Sequence, residues 1–119
     1  MSHHLQSDHI SEQMHECITR CSDCHDICSE TVRHCLGKGG SHAEVEHITA
    51  LLDCAQACDI SRDFMLRGSP LHARCCGVCA EACERCAESC EKHPGADEQM
   101  RRCAEACRSC AESCRAMAG

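Results

Sequence analysis

Thirteen cysteines fall in three runs that step alternately by three and four residues: Cys17, Cys21, Cys24, Cys28; Cys76, Cys79, Cys83, Cys86, Cys90; and Cys103, Cys107, Cys110, Cys114. That step is the a/d spacing of a helical heptad, the stripe that a helix bundle turns inward. The chain therefore places thiols where other bundles place leucine. The core this leaves is unusual. There is one aromatic residue, Phe64, no Trp or Tyr, and 17 cysteines among 119 residues. Apolar burial is worth about 25 cal/mol per Å², and Ala and Cys each bring little area. Free Cys does act as a small hydrophobe, so a metal-free bundle can fold and would gain from bound ligands or from oligomer contacts.

Punctuation divides the chain into four long segments. Gly37-Lys38-Gly39-Gly40 closes the first, Gly68-Ser69-Pro70 the second and His93-Pro94-Gly95 the third. Ser69 reads as an N-cap with Pro70 at the first helical position. The helices are expected at about 8–36, 42–67, 70–92 and 97–117, after a flexible tail over 1–7 that carries His3 and His4. The last two segments look duplicated: Cys79-Ala-Glu-Ala-Cys83 with Cys86-Ala-Glu-Ser-Cys90 repeats as Cys103-Ala-Glu-Ala-Cys107 with Cys110-Ala-Glu-Ser-Cys114. Short loops between long helices give antiparallel neighbours. The fold class is all-α, an up-down-up-down four-helix bundle over 8–119 with a cysteine-lined core.

Running the antiparallel register through the loops assigns layers. Cys24, Cys54, Cys83 and Cys107 share one. Cys21, Cys58, Cys79 and Cys110 lie beside it, followed by Cys17, Ser61, Cys114 and either Cys76 or Cys75. Beyond them Met14, Met65, His72 and Met117 form one end. In the other direction come Cys28, Leu51, Cys86 and Cys103, then Cys35, His47, Cys90 and Met100. His15, His25, His34 and His42 fall off the seam and read as surface residues. Cys75, adjacent to Cys76, cannot share its direction and reaches a flank or the end of the bundle.

Thiolates and thioethers select soft ions, Cu(I) foremost. Residues at i and i+4 have Cβ atoms about 5–6 Å apart, close enough for two thiolates to share a low-coordinate ion. His72, Met14, Met65 and Met117 at one end would add weaker sites where ions exchange, and His47 on the seam would be a further ligand. Zinc sequestration is the rival reading, although four-coordinate zinc ligands usually come as CxxC pairs on knuckles or loops. Iron–sulfur clusters favour cysteine-rich loops, and thiol redox sensing needs only one or two cysteines.

The net charge is −7, with signs interspersed as in Glu81, Glu84, Arg85, Glu88 and Arg101, Arg102, Glu105, Arg108. These are solvated helix faces. No basic cluster or aromatic platform supports nucleic-acid binding, and no run of about 20 apolar residues could span a membrane. The first residues lack a signal-peptide core and a twin-arginine motif, so a cytoplasmic location is expected. Thiols stay reduced there, which argues against a disulfide scaffold.

The CxxxC pairs Cys17/Cys21, Cys24/Cys28, Cys54/Cys58, Cys79/Cys83, Cys86/Cys90, Cys103/Cys107 and Cys110/Cys114 resemble those of the bacterial copper storage proteins, cytosolic branch. The resemblance runs from Met14 to Met117. It implies a four-helix bundle that holds many Cu(I) ions, within CxxxC pairs and between helices, and that associates as a homotetramer. Ile60 and Phe64 suit an interface or the closing of the core. The second helix departs from the pattern, with only Cys54 and Cys58 and with Leu51 and Ser61 at adjoining seam positions. No nucleophile–base pair points to an enzyme, and a chaperone for one ion would need an exposed CxxC.

Overall fold

The computed structural model describes residues 8–119; His3, His4 and the rest of the expected tail lie outside the described residues. The chain forms α1 (Glu12–Lys38), a single 3-10 turn (Gly40–Ala43), α2 (Val45–Leu66), α3 (His72–Lys92) and α4 (Glu98–Ala118). α1 and α3 each pack on both α2 and α4, so the four helices stand at the corners of a square around one seam. The bundle extends 48 Å along its longest axis. None of these helices is long and apolar enough to cross a membrane.

Every helix runs where the cysteine period places it, but the ends differ from expectation. α1 begins at Glu12 rather than near residue 8, because Ser11 adopts an extended backbone and its hydroxyl accepts the Met14 amide at 3.1 Å. It continues past Gly37 to Lys38, because the residue with positive φ is Gly39 (φ 71°), whose amide donates to the Cys35 carbonyl. The 3-10 turn then delays α2 to Val45, short of the expected start at 42. At its other end Gly68 (φ 65°) donates to the Met65 carbonyl and Ser69 to Phe64. That is the paired Schellman closure, which requires a left-handed residue.

Ser69 and Pro70 do not open α3. The Ser69 hydroxyl accepts the Leu71 amide at 3.1 Å, which makes a turn of its own, and the helix starts two residues later at His72. α4 is capped by Asp97, whose carboxylate accepts the Met100 amide at 3.0 Å.

The buried set is mostly sulfur and methyl. Among the described residues, the buried hydrophobic ones are cysteines and alanines apart from Ile18, Leu51, Met65 and Met100. Ala80, Ala87, Ala104 and Ala111 follow corresponding cysteines of the duplicated helices and are buried with them. Small residues there let α3 and α4 approach closely, and theirs is the most extensive helix contact. Arg85–Glu81, Arg108–Glu91 and Arg115–Glu84 pair on the surface, where such pairs are each worth about 1 kcal/mol or less.

Candidate metal centre

The heptad phase turns each cysteine stripe inward, and the loops fix which rungs meet. The expected layers form. Cys24 Sγ lies 3.6 Å from Cys54, 3.7 Å from Cys107 and 4.0 Å from Cys83. Cys54 and Cys83 approach to 3.4 Å. The next rung brings together Cys21, Cys58, Cys79 and Cys110, with Cys79–Cys58 at 3.6 Å and Cys110–Cys21 at 3.7 Å. Cys17, Cys76 and Cys114 close that side; Cys17 and Cys21 both stand 3.6 Å from Cys114. On the other side Cys28 contacts Cys86 at 3.9 Å and Cys103 at 3.8 Å, with Leu51 fully buried among the seam residues.

The sulfurs form five groups of three or four, each within 4.8 Å, and every cysteine except Cys35, Cys75 and Cys90 belongs to at least one. Four of the groups share members, and the fifth, Cys17, Cys76 and Cys114, joins them through the Cys21–Cys114 contact of 3.6 Å. Cys24, Cys28, Cys54, Cys58 and Cys107 each belong to two. The groups are therefore linked into a continuous column. Contacts within CxxxC pairs, such as Cys24–Cys28 and Cys110–Cys114 at 3.9 Å, are no shorter than those between helices. All 17 thiols are free of disulfides.

Cys90 is buried beside the column without joining a group. Cys35 Sγ instead faces His47 Nε2 at 3.3 Å, and His47 Nδ1 is 2.7 Å from the Ser89 hydroxyl. Nδ1–H donation to Ser89 leaves the Nε2 lone pair turned to the thiol. Met100 is buried at this end too. At the opposite end Met65 is fully buried, while Met14 and Met117 are partly buried against the core. His72 Nδ1 donates to the Ser69 carbonyl at 2.9 Å, leaving its Nε2 for a ligand. Cys75 takes a flank rather than the bundle end. It is half-buried and lines a groove between α2 and α3 with Ala57, Ile60, Ser61 and Val78; Ser61 donates to its carbonyl.

Hydrogen bonds between sulfurs push some thiols of the column up and others, among them Cys24, Cys54 and Cys103, down, while burial raises them all. Cys58, Cys107 and Cys114 are driven far above the ordinary thiol range by hydrogen bonds, led by Cys110, Cys103 and Cys110 respectively, with burial adding to each. Burial first, then the Asp97 charge, raises Cys35 to about 11. The His47 imidazole is pushed down, by burial and then by His93, so it stays neutral and able to ligate.

Three features were not anticipated. Thr31 occupies the seam position between Cys28 and Cys35, fully buried, donating to the Ile27 carbonyl and accepting from Gln99. The seven-residue gap between those cysteines was its signal. His34, expected at the surface, reaches Asp97 at 2.7 Å. His42, also expected there, packs against His93 with ring centroids 4.3 Å apart and planes tilted by 40°, and His93 in turn lies 5.5 Å from His47. His93 sits in a His-Pro-Gly stop, so its side chain gave no sign of a role.

Residues 10–119 match the family model of the copper storage proteins. A crystal structure of a protein from Nitrosospira multiformis superposes with a TM-score of 0.83 at 42% identity, over 90% of this chain and 95% of that one. The Cu(I)-bound copper storage protein BsCsp3 gives a TM-score of 0.83 at 33% identity, over 91% and 100%. The apo copper storage protein 3 of Bacillus subtilis gives 0.79 at 34%, over 88% and 98%. A search of curated protein sequences returns no match. The chain belongs to the copper storage protein family, and its function is copper storage.

Proposed function

We propose that this member of the copper storage family holds many Cu(I) ions along its sulfur column, in the cytoplasm, as cargo. The observation that carries the reading is the overlap of the thiol groups. A closed zinc site keeps four ligands for itself, whereas Cys24, Cys28, Cys54, Cys58 and Cys107 are each common to two groups. Shared thiolates suit soft ions bound by two or three sulfurs. A Cu(I)-bound relative at 33% identity supports the same cargo.

Each Cu(I) that replaces a thiol proton leaves the charge of the column unchanged. The column can therefore fill without accumulating repulsion until its thiols are used. Ions are held both within CxxxC pairs and across helices, since contacts of 3.9 Å within pairs fall in the 3.4–4.0 Å range of those between helices. Met14, Met65, Met117 and His72 make the weaker end, where ions enter and leave, and Cys35 with His47 terminates the column at the other. The bundles associate as tetramers through exposed apolar residues such as Ile60 and Val78 on neighbouring helices.

Anaerobic titration of the reduced protein with Cu(I), against a chromophoric chelator, tests the reading. Binding well above ten ions per chain is expected for a column of this many thiols (roughly one ion per thiol). Saturation near one ion would refute storage. Saturation near four, with zinc displacing copper, would favour zinc.

A further inference from the structure

At the methionine end Met14, His72 and Met117 are partly exposed, but the side chain beneath them is not. Met65 has no exposed surface, so exchange of an ion there requires something to move. The chain itself passes this end, against the C-terminus of α2. Asp8–Ile10 precede the Ser11 cap as a non-helical strap. Ile10 packs partly buried against the core, and His9 Nε2 donates to the Leu66 carbonyl at the C-terminus of α2, at 2.9 Å.

Gly68 makes room for this contact. A Cβ there would stand 3.1 Å from His9 Cδ2 and 3.5 Å from Cγ. The imidazole thus rests on the turn that joins Met65 to His72, held by one hydrogen bond between otherwise exposed groups. We infer that Asp8–Ile10 is a latch over the methionine end, fastened by His9, and that its opening sets the rate at which ions pass without altering how many are held.

The inference rests on the reading of that end as the exchange site. A net hydrogen bond in such a setting corresponds to a shift of about three- to tenfold in the opening equilibrium. Opening needs no unfolding of α1, because the Ser11 cap lies beyond the strap.

The test compares full-length His9→Ala, His9→Gln and Gly68→Ala with the parent. The first removes the donor, the second keeps a side-chain amide that can donate to Leu66, and the third displaces the ring from below but also strains the left-handed turn at Gly68, so it counts only alongside His9→Ala. Two rates are read: transfer of Cu(I) from the loaded protein to a chromophoric chelator, and iodoacetamide labelling of Cys17, Cys76 and Cys114 in the metal-free protein, resolved by peptide mass spectrometry. His9→Ala and Gly68→Ala are expected to raise both rates about three- to tenfold, with capacity unchanged and His9→Gln close to the parent. Equal rates in His9→Ala and the parent would overturn the latch. So would His9→Gln behaving as His9→Ala, or a lower capacity in His9→Ala, which would make His9 a ligand. Should the parent fail to hold many ions, storage fails, and the labelling rates still decide the latch.

Discussion

At the scale of single residues, position in the column separates one cysteine from another. Cys54 has three sulfur neighbours within 3.8 Å, whereas Cys75 has none of the grouped thiols as partners. Cys54→Ser keeps size and polarity but removes a soft donor, so Cu(I) titration should show a loss of roughly one or two ions per chain. Cys75→Ser should leave capacity intact. Protonation gives a second consequence. Cys35, Cys58, Cys107 and Cys114 hold their protons more tightly in the folded protein than in the unfolded chain. A raised folded pKa contributes stability below the unfolded thiol value of about 8.5 and loses it as pH rises above that. Melting of the reduced, metal-free protein, followed by circular dichroism, should fall steadily between about pH 8 and 10. The copper-loaded protein, with its thiol protons already displaced, should lack that slope.

At the scale of elements, the helices were legible from cysteine phase and the layers from loop length. Short loops permit only small slips, and a slip of one turn would have set Cys24 against Leu51 or Cys58 instead of Cys54. The ends were less legible because local side-chain bonds decide them. Ser11 takes the Met14 amide and shortens α1; Ser69 serves a turn rather than α3. Asp97 is the clearest such device. Burial raises its pKa, but bonds from His34, the Met100 amide and Lys38 outweigh it and hold the carboxyl well below the ordinary range. It caps α4 and ties that helix to α1 through His34 and Lys38. Asp97→Ala should cost about 1–2 kcal/mol in urea unfolding of the metal-free protein. A depressed pKa contributes stability above the ordinary carboxylate value and loses it as pH falls through the folded one, so the parent's advantage over Asp97→Ala should shrink in acid.

At the scale of the molecule, the question is whether the ions build the bundle or fill one already built. A structural zinc site commonly folds its domain, because scattered ligands converge only on the metal. Here convergence is achieved by packing: thiols from all four helices meet at 3.4–4.0 Å as hydrogen-bonded neighbours. Buried alanines bring α3 and α4 together, and caps close α1 and α4. The metal-free chain should therefore show the same far-ultraviolet helical signal as the loaded one. Ions bound only to the folded state then add to its stability, each by about 4 kcal/mol when free ion exceeds its dissociation constant a thousandfold. The melting temperature should climb with loading while helix content stays flat, and each Cu(I) should release about one proton, against about two for each zinc ion. A coil spectrum before loading would show that copper assembles the bundle. A flat spectrum with two protons per ion would keep the bundle and change the cargo.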